Sequence, residues 1–447
     1  MIRSSFAVLA ACLALFPQLA AAQASAERLT VYKGATLIDG TGAPARPGMS
    51  ILVKGERIER VWKDGEIAFK LPPQTVVVDV AGQYVLPGLI DSHEHLATPP
   101  NRRFAEAHLK RDLYSGVTAI RDMADDLRNV ADLSRATRIG EIPGPDIYYA
   151  ALMAGPSFFE DKRVQAASLG AKGGEVSWMQ AITPQTDLPL AVAQARGIGA
   201  SAIKIYANLP GEEVARITAA AHRQGVPVWA HAAVFPATPG EVLDAGVDAV
   251  SHVCMLAYQV SDQIPGQYHN RAAVQEEKFG KSVHPEIAKL LAKMKAGGVV
   301  LDATVRIYEA MKDRPTKPYC STELAAQLTN QALRAGVIVS AGTDGFSAPD
   351  AAYPALYEEL GLLVDRAGFT PMQAIVAATR NGALAVRKDP DFGTVEAGKL
   401  ANLIFTHQDP SKDIRALRTL TLTIKRGKTY PRADFDPKAD AAVRKED

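Results

Sequence analysis

Arg223-Gln224-Gly225-Val226-Pro227-Val228-Trp229 and, soon after, Asp244-Ala245-Gly246-Val247-Asp248-Ala249-Val250 carry one phrase twice: the end of a helix-like stretch, a glycine, then a short apolar strand. The phrase recurs as Leu113-Tyr114-Ser115-Gly116-Val117-Thr118-Ala119-Ile120, Ala296-Gly297-Gly298-Val299-Val300-Leu301 and Arg334-Ala335-Gly336-Val337-Ile338-Val339. The glycine supplies the left-handed residue that closes a helix. The β-branched run behind it is strand material buried on both faces. Helix alternating with buried strand predicts parallel βα units. Adding Val85–Asp91, Asp146–Ala150 and Ala202–Tyr206 brings the strands to eight, the number that closes a (β/α)8 TIM barrel. A doubly wound open sheet is the competing α/β architecture.

Outward from this core the pattern changes. Leu29–Ile38, Met49–Trp62 and Thr75–Val80 alternate or run short, with turns at Asp39-Gly40, Lys54-Gly55 and Asp64-Gly65. They read as antiparallel hairpins. Ala401–Thr406 and Leu420–Lys425 repeat the style on the C-terminal side. The expected organisation is a small β-sandwich from residues 25–84 and 389–430, a barrel over 85–388, and a disordered tail over 431–447 rich in Asp, Lys, Arg and Ala. Ahead of these, Arg3, the apolar run Phe6–Phe16 and small residues up to Ala22 and Ala24 have the order of a secretory signal peptide over residues 1–24. Cleavage near Ala22 or Ala24 would leave a secreted or periplasmic protein with no stable membrane insertion. A membrane anchor and lipidation at Cys12 are the competing readings.

Fifty Lys+Arg stand against 49 Asp+Glu, a balance that argues against nucleic acid, whose binding needs a basic face. A composition of 47% hydrophobic residues excludes disorder of the whole chain. Of three Cys, Cys254 and Cys320 would survive signal removal, and an oxidising compartment permits their pairing without requiring it. The partner expected is a small-molecule substrate; a homo-oligomer is admitted but not specified.

Chemistry concentrates at strand ends. His93 and His95 close the first barrel strand in Leu86-Pro87-Gly88-Leu89-Ile90-Asp91-Ser92-His93-Glu94-His95. Residues i and i+2 of a strand share a face, about 7 Å apart, so both imidazoles can converge on one cation. Two surface or capping imidazoles are the plain alternative. His231 ends Val226–His231, His252 ends Val247–His252, and Asp344 follows Val337–Ser340 in Ala341-Gly342-Thr343-Asp344-Gly345. In a barrel all five occupy the C-terminal rim, where catalytic residues collect.

Lys204, in Ala202-Ile203-Lys204-Ile205-Tyr206, is the most informative single residue. Ile203 and Ile205 would face the helices, so Ala202, Lys204 and Tyr206 point into the barrel. A buried ammonium is expensive, and desolvation favours the neutral nucleophilic amine. Such an amine can take up CO2 to become a carbamate that bridges two cations; a lysine paired with a neighbouring carboxylate is the alternative. Arg121 could clamp a substrate carboxylate or form a structural ion pair. Tyr206 could polarise a carbonyl or simply pack. His108, His222 and His407 read as ordinary surface or helix residues, while His269 and His284 lie in a long unassigned loop.

Together these motifs resemble the amidohydrolase superfamily. The Leu-Pro-Gly-Leu-Ile-Asp-x-His-x-His phrase, the Gly-Val-Thr-x-x-Arg-Asp phrase at Gly116–Asp122 and Gly342-Thr343-Asp344 are similar to its imidazolonepropionase-like and Xaa-Pro-dipeptidase-like branch. The resemblance spans about residues 29–430. It implies a binuclear site, usually zinc. His93, His95 and Asp344 would hold one ion, His231 and His252 the other, with carboxylated Lys204 between them. Three departures stand out. Tyr206-Ala207-Asn208-Leu209-Pro210-Gly211 replaces the Gly-Gly pair that often follows the lysine, the segment 253–285 is long and unusual, and the loop 152–189 matches no family pattern.

The reaction expected from this resemblance is hydrolysis of an amide C–N bond, in dipeptides or N-acyl amino acids. Two divalent cations lower the pKa of water and polarise the carbonyl, while Asp344 shuttles the proton to the leaving nitrogen. The Gly-x-Ser-x-Gly elbow of serine hydrolases is absent. Hydrolysis of cyclic amides, lactones or organophosphates on the same site is the enzymatic alternative. A catalytically silent metal-binding scaffold is the non-enzymatic one.

Overall fold

The computed structural model describes residues 28–66, 70–269, 271–314 and 318–443; the expected signal peptide lies outside them, as do residues 444–447. Each glycine in the repeated phrase does what the pattern asks of it: Gly116, Gly225, Gly246, Gly298 and Gly336 all have φ between 64° and 90°. Each therefore closes a helix or turn in a conformation that side chains resist.

The flanks contribute β1 (Leu29–Leu37), β2 (Arg46–Lys54), β3 (Arg57–Lys63), β4 (Val76–Asp79) and β5 (Tyr84–Pro87) before the barrel. The barrel strands are β6 (Leu89–Glu94), β7 (Val117–Asp122) and β8 (Asp146–Ala154). The small hairpin β9 (Glu175–Val176) and β10 (Met179–Ala181) interrupts them. They resume as β11 (Ala202–Ile205), β12 (Val228–His231), β13 (Ala249–Ser251), β14 (Val300–Asp302) and β15 (Ile338–Ser340). After the barrel come β16 (Leu403–Thr406), β17 (Leu420–Lys425) and β18 (Lys428–Pro431).

The eight barrel strands pair in parallel, in the order β6-β7-β8-β11-β12-β13-β14-β15. Ser92 N donates to Ala341 O at 2.8 Å across the remaining seam, so the cylinder is nearly closed. This is the (β/α)8 barrel. Ile203 and Ile205 pack into the outer core between strands and helices, while Ala202 joins the inner core. There Ala119, Ala150, Ala202 and Ala249 are small enough to leave room for the fully buried indole of Trp229.

The flanks form a single hydrogen-bonded sheet, β18-β17-β16-β5-β1-β2-β3 with β4 on β1, largely antiparallel. It has its own core, which includes Leu37, Ile51, Val85, Leu403 and Ile424. Its β3 edge returns to the C-terminal segment through Ile58 N to Lys399 O at 2.8 Å and Gly398 N to Ile58 O at 2.7 Å.

Two expectations are corrected. Val85–Asp91 is not one barrel strand: β5 belongs to the flanking sheet and the barrel begins at Leu89. The break falls at Gly88, where an added Cβ would lie 2.2 Å from Thr118 Oγ1. The residues from Pro431 onward, expected to be disordered, pack as far as 443: Phe435 stacks on Tyr114 at 5.8 Å and Val443 is buried. Among the described residues no helix is long and apolar enough to cross a membrane.

Candidate metal centre

His93 and His95 leave the end of β6 on one face of the strand, as the i, i+2 spacing requires. Asp344 meets them after β15: its Oδ1 stands 3.6 Å from Nε2 of each imidazole. One candidate ligand atom from each of the three lies within 4.8 Å of the other two. Lys204 lies on β11, His231 ends β12 and His252 follows β13. The His252 ring centre is 4.8 Å from that of His93 and 4.9 Å from that of His231. All six residues thus gather at the C-terminal mouth of the barrel.

Local backbone geometry helps aim them. His252 and Asp344 have φ of 70° and 47°, so each turns in the left-handed region as it leaves its strand. For residues with a Cβ this costs about 1–2 kcal/mol each. Gly342 is needed for a different reason: a Cβ there would sit 2.2 Å from Asp302 Oδ1 and 2.8 Å from His93 Cβ.

Carboxylates and a hydroxyl fix the imidazoles from behind. His93 Nδ1 pairs with Asp302 Oδ2 at 2.7 Å, His95 Nδ1 with Asp125 Oδ1 at 3.0 Å, and His252 Nδ1 with Thr304 Oγ1 at 3.0 Å. Each contact leaves Nε2 for the mouth, the usual backing of a metal-bound imidazole. Burial, reinforced by neighbouring positive charge, holds His93, His231 and His252 well below the ordinary histidine range. They are neutral at pH 7, as ligands must be. Lys204 is fully buried, and its pKa is lowered to about 7 by desolvation first and by the charge of Arg121 second.

Divalent cations fit this set. Nζ of Lys204 and Nδ1 of His231 are buried polar atoms without a hydrogen-bond partner among the described residues. Such atoms are costly unless something binds them. The 3.6 Å gaps from Asp344 to His93 and His95 are too long for hydrogen bonds. They are close to the ~3.4 Å that separates two ligands placed tetrahedrally about 2.1 Å from one zinc ion.

The other candidates separate. Tyr206 lines the mouth, its ring 4.2 Å from His231 and 4.6 Å from Phe158. Arg121 does not. It is fully buried, donates from Nε to Ser92 O at 2.6 Å and from Nη2 to Asp302 Oδ2 at 3.0 Å, and lies over Trp229. It is a structural ion pair with Asp302, not a substrate clamp. His108 is no surface residue either: it is buried between Glu94 at 3.1 Å and Asp112 at 3.2 Å. His222 pairs with Asp248, His284 caps the helix Pro285–Gly297 and His407 is exposed. Sequence reasoning missed Asp302, Asp125 and Thr304. The strand-end position of Asp302 in Val299-Val300-Leu301-Asp302 was the available signal.

A cavity of about 650 Å³ opens over the site, with His95, Tyr206, His252 and Asp344 among its lining. The loops 152–189 and 253–285 build its walls: Phe158 and Arg163 from one, Tyr268 and Arg271 from the other. His269 Nε2 to Asp161 Oδ2, at 2.6 Å, joins the loops. A disulfide between Cys254 and Cys320 ties down the second.

Residues 84–430 match the amidohydrolase family pattern. Ochratoxinase of Aspergillus niger is 25% identical over 468 aligned positions, covering 92% of this chain and 88% of that protein. Its crystal structure superposes with a TM-score of 0.71 at 21% identity, over 92% and 97% of the two chains. The structure of a Xaa-Pro dipeptidase with bound methionine gives 0.68 at 22% identity, over 90% and 100%. A local match to adenine deaminase of Rubrobacter xylanophilus is 41% identical over 66 residues, but spans 15% of this chain and only 11% of that protein.

Proposed function

The chain belongs to the amidohydrolase family, and from that premise we propose that it is a secreted, two-cation hydrolase of the amide bond in dipeptides or N-acyl amino acids. At the coarser level it is a hydrolase acting on carbon–nitrogen bonds. The finer reading rests on one observation above all: Lys204, a buried amine with a pKa near 7 and no partner for Nζ among the described residues, amid neutral imidazoles and Asp344.

His93, His95 and Asp344 would hold one cation, His231 and His252 the other, and Lys204 as a carbamate would join them; zinc suits this nitrogen and oxygen donor set. Two such cations, when bound, supply Lewis acidity that makes water a nucleophile at neutral pH and polarises the scissile carbonyl.

The chain's own groups do the rest. An amide nitrogen leaves readily only when protonated. Asp344, partly exposed to the cavity beside His93 and His95, is placed to take a proton from the attacking water and return it to that nitrogen. Asp302, Asp125 and Thr304 fix three of the imidazoles, so little reorganisation is needed during turnover. The Tyr206 hydroxyl would orient the carbonyl from the cavity side.

The test is metal content together with Lys204→Ala. Purified protein should carry about two cations per chain. The variant should lose activity, with partial rescue by short carboxylic acids that replace the carbamate. A reproducible single cation, or full activity in Lys204→Ala, would overturn the bridged pair.

A further inference from the structure

Among the described residues four arginines line the cavity: Arg306 is buried, Arg271 half-buried, and Arg163 and Arg314 are exposed; Arg163 and Arg306 are already paired. Arg163 grips Asp161 with Nε at 3.0 Å and Nη2 at 2.6 Å. Arg306 donates to Glu358 at 2.6 Å and to Phe346 O at 3.0 Å. Arg271 differs. It has no carboxylate partner among the described residues, and its one hydrogen bond to protein runs from Nη1 to Tyr268 O at 2.8 Å. Its Nε is buried and has no hydrogen-bond partner among the described residues. Two rings hold its plane: the guanidinium carbon is 4.0 Å from the ring centre of Tyr268 and 4.6 Å from that of Tyr319. Tyr268 in turn stacks on His231, with ring centres 5.4 Å apart and planes at 24°. The cation is thus one aromatic ring away from the proposed metal centre.

A guanidinium carries five N–H donors in a fixed fork. Leaving several idle in a partly buried wall is costly, unless a ligand with matching geometry completes them. The fork matches a carboxylate, and it is held by ring packing rather than by a competing acid. We infer that Arg271 is the anchor for the substrate's free carboxylate and sets the enzyme's specificity for acidic amides. This rests on the amide-hydrolase reading above and narrows it. The carboxylate end seats against Arg271, Tyr268 and Tyr319, and the scissile carbonyl lies toward His231 and Asp344. The acyl portion is bulky and apolar, because Phe158, Leu152, Met179 and Ile307 line the same cavity. A volume of about 650 Å³ lies within the range for drug-sized ligands and exceeds what the smallest dipeptides would fill. The enzyme removes a C-terminal residue bearing a free carboxylate and does not cut internal peptide bonds.

The experiment compares N-benzoyl-phenylalanine with its C-terminal amide as substrates for wild type, Arg271→Lys and Arg271→Met, with metal content and Tm measured alongside. Losing a charge-assisted fork should lower kcat/KM for the free acid by about 100-fold in Arg271→Met, mainly through KM. The loss should exceed that on the amide by at least about 10-fold, and Arg271→Lys should fall between. Equal losses on both substrates, or no loss on the acid, overturn the anchor. Binding of N-benzoyl-phenylalanine to zinc-loaded protein, followed by calorimetry, separates this failure from failure of the function. Arg271-dependent binding without turnover by wild type would retain the anchor and reject the amidase. Binding insensitive to Arg271→Met, or no binding at all, rejects the anchor.

Discussion

Asp302 Oδ2 accepts a hydrogen bond from Nδ1 of His93 at 2.7 Å. The same oxygen receives Nη2 of Arg121 at 3.0 Å and Oγ of Ser251 at 2.9 Å. One buried carboxylate therefore fixes the ring plane of His93, its tautomer and the charge behind it. Asp302→Ala should free His93 to rotate, and because it also strands buried Arg121 it should lower the Tm through the loss of that pair, about 3–5 kcal/mol. Affinity for zinc is expected to fall about 10- to 100-fold, the usual cost of removing such a backing group. Titration of chelator-treated protein with zinc measures it directly, and unchanged affinity would show that packing alone holds the ring.

Arg121 is the other arm of that pair, and its burial reverses the effect expected of a substrate clamp. Arg121→Met leaves Asp302 short of its cation in a fully buried site. Removing one partner of a buried pair costs about 3–5 kcal/mol. The loss should show as a lower Tm and an equal fall in kcat/KM for carboxylate-bearing and neutral substrates. A rise in KM confined to carboxylates would put the guanidinium back in contact with substrate.

The sequence carried the barrel because its signals are local and repeated. Each helix-Gly-strand phrase specifies one βα unit, and the period-2 rule alone placed Lys204 inward and Ile203 outward. Strand ends then located the other five proposed ligands. Arg121 stayed open between clamp and structural ion pair because its partner, Asp302, lies 181 residues away and only the closed cylinder brings them together. Arg271 went unassigned for a related reason. Its significance is a lack of partner within a loop without periodicity, and such a lack is visible only once Tyr268 and Tyr319 are placed beside it. The Val85–Asp91 error has a smaller cause. Strand residues continue across Gly88, and nothing in their composition says that the sheet changes there.

The disulfide makes the second wall loop a stability element. Cys254 and Cys320 close a span of 66 residues that carries Tyr268 and Arg271. On the chain-entropy account, a cross-link over that span stabilises by about 4 kcal/mol. The double variant Cys254→Ala/Cys320→Ala should therefore melt several degrees lower than the oxidised protein. Added reductant should lower the Tm of wild type and leave that of the variant unchanged. Equal sensitivity to reductant in both would show that the bond does not form in solution.

The joint between barrel and flanking sheet should weaken in acid for an identifiable reason. Asp146 opens β8 in the barrel, and Lys425 and Arg426 follow from β17 in the sheet; Lys425 Nζ lies 3.0 Å from Asp146 Oδ1 and Arg426 Nη2 lies 2.7 Å from Oδ2. Burial would raise the Asp146 carboxyl, but the two cations outweigh it and hold the group below the usual carboxylate range. A depressed folded-state value stabilises above the unfolded value of about 3.9 and loses that contribution as pH falls through the folded value. Asp146→Asn should thus cost about 3–5 kcal/mol at pH 7, where buried Lys425 loses its counter-charge and Arg426 keeps only the exposed Glu56. Below about pH 4 wild type begins to lose the same interaction, so the Tm difference between the two proteins should shrink. Melting curves from pH 7 to pH 3 test this, and a difference constant across that range would mean that the carboxylate's charge contributes nothing to the joint.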